Sequence, residues 1–198
     1  MPAYVPPHLR GARGGGGGAA APRRPNASVA AHTLTVGDRP GTALHDLIEG
    51  GCTAEDLRAE ACGRSAGVLN DTNTGGWTAL RLAATKRWDN SLELVKVLLS
   101  AGANPHTPSK GGMLATHAVA EVVDCQVSVD IMRALLQADA SLLEATTDAR
   151  NTPLHYAGAV SARANTAMWQ FLVARGAKTD CANAAGHTPV AKKRDSRR

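Results

Sequence analysis

The stretch GGWTALRLAATKRWDNSLELVKVLLSAGANP, residues 75–105, decides the fold. Thr78 follows a turn glycine and is able to cap a helix whose leucines and alanines recur at helical spacing. Asn90 and Ser91 give a second capping signal, and the apolar run behind them ends at Gly102, since glycine readily adopts the left-handed conformation that stops a helix. The stretch therefore predicts two short helices joined by a turn.

The same pattern returns along the chain. TALHDL begins at Thr42, TPLHYA at Thr152 and TPVA at Thr188, and LATHAVA at Leu114 is a degenerate copy. Counted together with Thr78, these starts lie 36, 36, 38 and 36 residues apart. A fixed period in this range is typical of repeat arrays. Because one repeat cannot bury its apolar face alone, we expect the repeats to stack and to offer a surface that holds a partner.

The composition favours helices over sheets. Only 3% of the 198 residues are aromatic, so the core must consist of Ala, Leu and Val, which suit closely packed helices. We therefore predict an all-α fold. The four cysteines, Cys52, Cys62, Cys125 and Cys181, form no CxxC pair, and we expect buried thiols in a reducing compartment.

The chain opens with no signal-peptide pattern, and no apolar run approaches the roughly 18 residues that a membrane span requires. We therefore expect a soluble cytoplasmic monomer that makes no membrane contact. Nuclear import through the basic residues at the C-terminal end is the alternative.

The positive charge lies at the two ends of the sequence. Of the net charge of +5, residues 1–40 carry +4 and residues 190–198 carry +4, which leaves −3 between them. The first part contains five consecutive glycines with prolines and arginines, and such a composition predicts disorder. We predict a disordered tail over 1–40, a repeat domain over 41–191 and a basic tail over 192–198.

The residues at 76–84, 95–105 and 152–157 resemble the ankyrin repeat, whose pattern is roughly G-x-TPLH-x-AA, a turn, and a second helix before GA-x-x-N. The resemblance covers residues 41–191 and implies a solenoid of about four to five helix–turn–helix repeats with short β-hairpin fingers. It also implies structural hydrogen bonds for Thr78, Thr152 and His155. The sequence departs from the pattern where Arg81 replaces the histidine, where Leu114-Ala115-Thr116 replaces TPL, and where Arg150 replaces the turn glycine. We expect the third unit to be irregular.

In ankyrin proteins the fingers and first helices contact the partner. This predicts binding residues at Arg81, His106, Lys110, Arg150 and Lys178. The turns at 85–92 and 161–166 are longer than the pattern requires, and they predict a second rim formed by Lys86, Arg87, Trp88, Arg163 and Asn165. The alternative is that Trp88 folds back over the helices.

No arrangement of residues indicates catalysis. His45, His117 and His155 occupy the TPLH position, where a hydrogen-bonding histidine is expected, and no nucleophile elbow, phosphate loop or HExxH motif is present. We predict no enzymatic activity, no cofactor and no metal.

The N-terminus carries a separate signal. PAYVPPHLRG, residues 2–11, resembles the YVPPHLRG element of translation-initiation DEAD-box RNA helicases, whose motor is absent here. The resemblance implies a linear motif that contacts a translation factor or RNA through residues 4–24. Its residues are Tyr4, Val5, Pro6, Pro7, His8, Leu9 and Arg10. The alternative is low-complexity sequence with no particular partner.

These patterns predict an adaptor that holds one protein on its repeats and a second ligand on its N-terminal peptide. Two tethered sites raise the effective concentration of their ligands without any new contact. The alternative function is an RNA-associated regulator of translation that acts through the Arg/Gly-rich tail.

Overall fold

The computed structural model describes residues 42–86, 88–122, 126–161 and 166–189. In these ranges the chain forms nine α-helices, one 3-10 helix at Ala140–Glu144 and no β-strand. The all-α prediction is therefore confirmed for the described residues. The helices are α1 (Thr42–Glu49), α2 (Ala54–Ala61), α3 (Ala66–Leu69), α4 (Ala79–Thr85), α5 (Ser91–Ser100), α6 (Ala115–Glu121), α7 (Gln126–Ala138), α8 (Pro153–Ser161) and α9 (Thr166–Ala174).

Several predicted segments lie outside the described residues. These are the tails 1–40 and 192–198, the N-terminal motif Tyr4–Arg10, the residues Arg87, Cys125, Arg163 and Asn165, and Val190 and Ala191. No helix in the described ranges is long and apolar enough to span a membrane.

The helices form four pairs arranged in two layers. The pairs are α1/α2, α4/α5, α6/α7 and α8/α9, and the two members of each pair pack on each other. The first helices contact one another in the order α1, α4, α6, α8, and the second helices in the order α2, α5, α7, α9. The two inner pairs therefore bury one face against the pair before and another against the pair after, and each outer pair contacts one neighbouring pair.

The core between the layers consists of small and aliphatic side chains. Leucines such as Leu44, Leu94 and Leu154 are almost completely buried, and Ala83 and Ala157 allow the helices to approach closely. No tryptophan, phenylalanine or tyrosine is among the largest fully buried side chains of the described residues. The aromatic-poor composition therefore translates directly into closely packed short helices.

Helix starts follow the capping residues of the sequence. The hydroxyl of Thr78 accepts a 3.2 Å hydrogen bond from the backbone N–H of Arg81 at the start of α4. Thr53 and Asp56 cap α2 reciprocally, with the Thr53 hydroxyl accepting from the Asp56 N–H and the Asp56 carboxylate accepting from the Thr53 N–H. Such caps satisfy N–H groups that have no partner inside the helix.

Four turns of one design connect or follow the helix pairs. We call them the finger turns, residues 73–77, 109–113, 147–151 and 183–187. In each turn the first N–H donates to the last carbonyl over 2.8–3.0 Å, and the fourth N–H donates to the first carbonyl over 2.8–3.1 Å. The fourth residue always has a positive φ: 72° at Gly76, 69° at Gly112, 57° at Arg150 and 77° at Gly186.

The finger turns differ from the predicted β-hairpins in the extent of strand pairing. Within the ranges that the structure describes, pairing is limited to isolated antiparallel bridges at Thr72–Thr78 and Ser109–Met113. The short distance between each turn and the next helix leaves room for one bridge and not for a ladder.

Neighbouring finger turns are joined by backbone hydrogen bonds. Lys110 donates to the Gly76 carbonyl at 3.1 Å, Asp148 to Gly111 at 3.3 Å, and Ala184 to Ala149 at 3.0 Å. The four turns therefore form one continuous row along the first-helix layer.

The third helix pair keeps its helix although its TPL sequence is lost. Leu114 cannot cap α6 with a hydroxyl, and instead its N–H donates to Nδ1 of His117 at 3.1 Å. Thr116 is fully buried, and its hydroxyl has no hydrogen-bond partner in the described structure. The third unit is therefore irregular in its side chains and not in its helix, because the buried hydroxyl of Thr116 lies where the pattern has leucine.

Two cysteines differ from the prediction of buried thiols. Cys52 is buried, and burial raises its pKa to about 11. Cys62 is exposed at the C-terminal end of α2, and Cys181 is partly exposed. Cys62 is the residue that ends α2, and Cys181 lies in the stretch 178–188, none of whose residues is buried, so the prediction was wrong for these two residues.

Candidate functional site

The row of finger turns and the first helices bring three of the predicted binding residues into one chain of contacts. Arg81 on α4 stacks on Trp77, whose neighbour Gly76 accepts the backbone hydrogen bond from Lys110. Lys110 leads through Gly111 to the turn that contains Arg150. Arg81, Lys110 and Arg150 therefore belong to one continuous surface, which we call the finger surface.

The other two predicted residues lie on loops behind the second helices. His106 follows α5, and its Nε2 lies 2.8 Å from the carboxylate of Asp139, which follows α7. Hydrogen bonds from Ser141 and His106 lower the pKa of Asp139 to about 2. Lys178 follows α9, and its backbone N–H donates to Glu144 at 2.9 Å. His106 and Lys178 therefore contact residues that follow α7, namely Asp139 and, in the 3-10 helix, Glu144, and both lie outside the four finger turns.

Trp88, predicted as part of a second rim, is partly buried and packs against the hydrophobic core. Its backbone N–H donates to the Ser91 hydroxyl, and the Lys86 ammonium lies 5.3 Å from the centre of its ring. The geometry favours the alternative in which Trp88 folds back over the helices.

Histidines hold the finger surface from behind. His45 donates from Nε2 to the carbonyl of Trp77 at 2.7 Å, and His155 donates to that of His187 at 3.1 Å. His155 also accepts at Nδ1 from the Thr152 N–H at 3.0 Å. This pattern requires the neutral tautomer with its proton on Nε2. These histidines thus fix the finger turns and are occupied by structural bonds.

His117 plays the same part in the third pair. It donates to the carbonyl of Ala145 at 3.0 Å and is completely buried. Burial lowers its pKa, and hydrogen bonds to backbone carbonyls offset only part of this effect. His117 is therefore held neutral in the folded protein.

Arg81 occupies the corresponding position in the second pair, and its environment differs. Its Nε is buried without a hydrogen-bond partner in the described structure. Partial burial lowers the pKa of the guanidinium, while the nearby charge of Glu121 raises it. An arginine remains protonated in spite of such a shift. The finger surface thus contains a partly desolvated positive charge.

The sequence did not single out two aromatic residues beside Arg81. Trp77 is 38% exposed, which makes it one of the two exposed large hydrophobic residues of the described structure. Tyr156 on α8 is partly buried and meets His117 edge-on at 5.7 Å between ring centres. The available signal was the tryptophan directly before Thr78, at the last position of a finger turn.

The described residues contain no group of three or more His, Cys, Asp or Glu side chains that could hold a metal ion. His117 and His155 use both ring nitrogens in structural bonds, and His45 uses its Nε2. The geometry therefore provides an array of polar and aromatic groups on a rigid scaffold, which suits recognition.

Comparison with known families identifies one of the helix pairs. Residues 75–110 match the ankyrin-repeat family. The matched segment runs from the first finger turn through α4 and α5 to the second finger turn, so it contains Trp77, Arg81 and Lys110. Ankyrin repeats are in general non-enzymatic modules that mediate protein–protein interaction. No curated protein matches the chain.

Proposed function

We propose that the chain is a non-enzymatic adaptor whose residues 41–191 form an ankyrin solenoid of four to five repeats that binds a protein partner. The observation that carries the proposal is the recurrence of one geometry outside the matched repeat. The finger turns at 147–151 and 183–187 repeat the hydrogen bonds and positive φ of the turns at 73–77 and 109–113. A row of similar turns on stacked helix pairs is the kind of extended surface that repeat proteins use for binding.

The finger surface is the preferred binding site within this proposal. Arg81, Lys110 and Arg150 lie along connected turns, and Lys110 and Arg150 are exposed. Arg150 also adopts a left-handed backbone conformation that costs free energy for any residue with a Cβ. A strained residue that presents a charged side chain supports a role in recognition.

The test compares two charge-reversal variants. The first replaces Arg81, Lys110 and Arg150 by glutamate, and the matched control replaces His106 and Lys178 by glutamate. The partner is first isolated by affinity capture on the full-length chain, and its affinity for each purified variant is then measured. We expect the first variant to weaken binding by about tenfold or more, and the control to change it little. Unchanged binding by the first variant, with its helical circular dichroism intact, would move the site away from the finger turns.

We further propose that the N-terminal motif Tyr4–Arg10 is a second ligand, directed at a translation factor. Tyr4 and Leu9 are its apolar anchors, and a short peptide binds only if it buries enough surface to exceed its ordering cost. Tyr4→Ala with Leu9→Ala should abolish association with the factor and leave thermal stability unchanged. If the double variant captures the same partners, the N-terminal motif is not a ligand and partner binding depends on the repeats alone.

The salt dependence of binding separates protein binding from the RNA alternative. Phosphate contacts release counterions, so binding to RNA through residues 4–24 should weaken steeply between low and moderate salt, whereas burial-driven protein binding should change much less. We propose a cytoplasmic location for both activities, and imaging of the full-length chain with and without residues 192–198 tests whether the basic tail directs nuclear import.

A further inference from the structure

We propose that Arg81 and Trp77 form a carboxylate-binding site on the finger surface, and that the partner presents an acidic side chain beside an apolar one. This inference rests on the proposed protein-binding function and names the chemistry of the partner at one position. It begins from Arg81, which takes the place of a histidine in the register of His45, His117 and His155.

The three histidines show what Arg81 does not do. Each donates from Nε2 to a backbone carbonyl in or beside the next finger turn, over 2.7–3.1 Å. For Arg81, by contrast, neither a side-chain hydrogen bond nor an ion pair within 4.0 Å is recorded in the described parts of the chain, and its Nε is buried without a partner. An arginine side chain carries five N–H donors and no acceptor. Nε is closed to solvent and so to a ligand, but an acceptor that a ligand brings to the other N–H groups would give the guanidinium a hydrogen bond that the described residues do not supply.

Trp77 holds the guanidinium in a defined orientation. The central carbon of the Arg81 guanidinium lies 4.5 Å from the centre of the Trp77 ring. Stacking occupies one face of the planar group and leaves the N–H groups at its edge for hydrogen bonds. Carboxylates match this edge because their two oxygens accept two parallel hydrogen bonds. The exposed remainder of the Trp77 ring offers an apolar surface next to that edge.

Glu121 limits the charge that the site accepts. It is exposed on α6, and its charge stabilises the Arg81 guanidinium without reaching ion-pair distance. One arginine that faces one glutamate favours a ligand with a single negative charge and disfavours a dianion such as phosphoserine. The net charge of −3 between the two basic ends of the chain likewise disfavours RNA at this site.

The experiment selects peptides from a random twelve-residue phage library on the full-length chain, with counter-selection against Arg81→Ala. We expect the enriched sequences to share an Asp or Glu next to an aliphatic or aromatic residue. The best sequence is then synthesised with Glu, Gln or phosphoserine at the shared position, and each version is titrated by fluorescence anisotropy. The glutamate version should bind about 10- to 100-fold more tightly than the glutamine version.

Of three protein variants, two should weaken binding of the glutamate peptide and one should tighten it. Arg81→His restores the histidine of the other helix pairs, so it should fold with equal or higher stability and still lose binding about tenfold or more. Trp77→Ala should also weaken binding. Glu121→Gln should tighten binding of the glutamate peptide roughly two- to fivefold, because it removes a carboxylate that competes for Arg81.

Any of four results would overturn the proposal. Two would remove the carboxylate site: glutamate and glutamine peptides bind equally well to the native chain, or no enriched peptide depends on Arg81. Two would show that the site is not selective for a single carboxylate: the phosphoserine peptide binds best, or Glu121→Gln weakens binding. The adaptor function is tested separately by charge reversal at Lys110 and Arg150. If that change abolishes binding of the captured partner although the carboxylate site has been refuted, the adaptor function stands without the site.

Discussion

Gly158 on α8 lies directly against the backbone of Pro189, two residues after the last finger turn. An added Cβ at this position would overlap the carbonyl oxygen of Pro189 and would lie 3.0 Å from Cζ3 of Trp169. The carbonyl belongs to the backbone and has no alternative rotamer. Replacement by alanine must therefore displace the segment that carries Pro189, which also contains His187, the hydrogen-bond partner of His155.

The magnitude follows from two opposed effects. Alanine in a helix interior normally stabilises by about 1 kcal/mol relative to glycine. Overpacking of a well-packed site costs about 1–3 kcal/mol, and a clash with backbone should lie in the upper part of that range. We therefore expect Gly158→Ala to lower the free energy of unfolding by about 1–2 kcal/mol, in spite of its better helix propensity.

Urea unfolding followed by circular dichroism measures this change, and hydrogen exchange of the amides at 183–187 reports whether the last finger turn detaches. Gly67→Ala is the matched control, because its added Cβ meets only the Ser65 hydroxyl at 3.9 Å and should stabilise α3 slightly. If Gly158→Ala is as stable as Gly67→Ala, and exchange at 183–187 does not change, then the close approach of Pro189 does not constrain the fold as argued here.

Two further predictions concern backbone strain and pH. Arg150→Gly should raise the free energy of unfolding by up to about 1 kcal/mol in urea titrations, since it relieves a left-handed φ. Gly186→Ala should lower the free energy of unfolding by about as much. Its added Cβ meets no atom within 4 Å, so backbone strain is the only change. Since burial lowers the pKa of His117 in the folded state, the unfolded chain binds the proton first, and stability should fall as the pH drops below about 6.5. His117→Gln should reduce the slope of unfolding free energy against pH in that range, and an identical slope would assign the effect to another group.

Much of the fold could be predicted because its determinants are local. Thr78 and Gly102 mark the two ends of the second helix pair in the sequence, and the structure has helices between them. The finger turns could be located in the same way, since the glycines at 76, 112 and 186 recur with the period of the array. Arg150 stands where the period places the turn glycine of the third finger turn. Its φ of 57° is the positive value that the glycines have at this position.

Contacts between helix pairs could not be predicted residue by residue, although they follow the period. His45 meets Trp77 at a separation of 32 residues, Asn70 meets Asn104 at 34, and His106 meets Asp139 at 33. The period indicates that such contacts exist, but which side chains meet depends on loop conformations. The pairing of His106 with Asp139 is one such contact that the sequence alone does not indicate.

The second helix pair departs from the other pairs at Arg81 and carries the proposed carboxylate site. A histidine in place of Arg81 would bond to the next finger turn, as His45 and His155 do. The arginine gives up that bond, leaves its Nε unpaired and rests instead on the exposed ring of Trp77. A repeat array tolerates this loss because each pair is also held by its neighbours through packing and through the backbone bonds between finger turns. The stability lost at Arg81 is thus local, while the charge gained lies on the finger surface, and such a trade of stability for function is what the proposed recognition site would require.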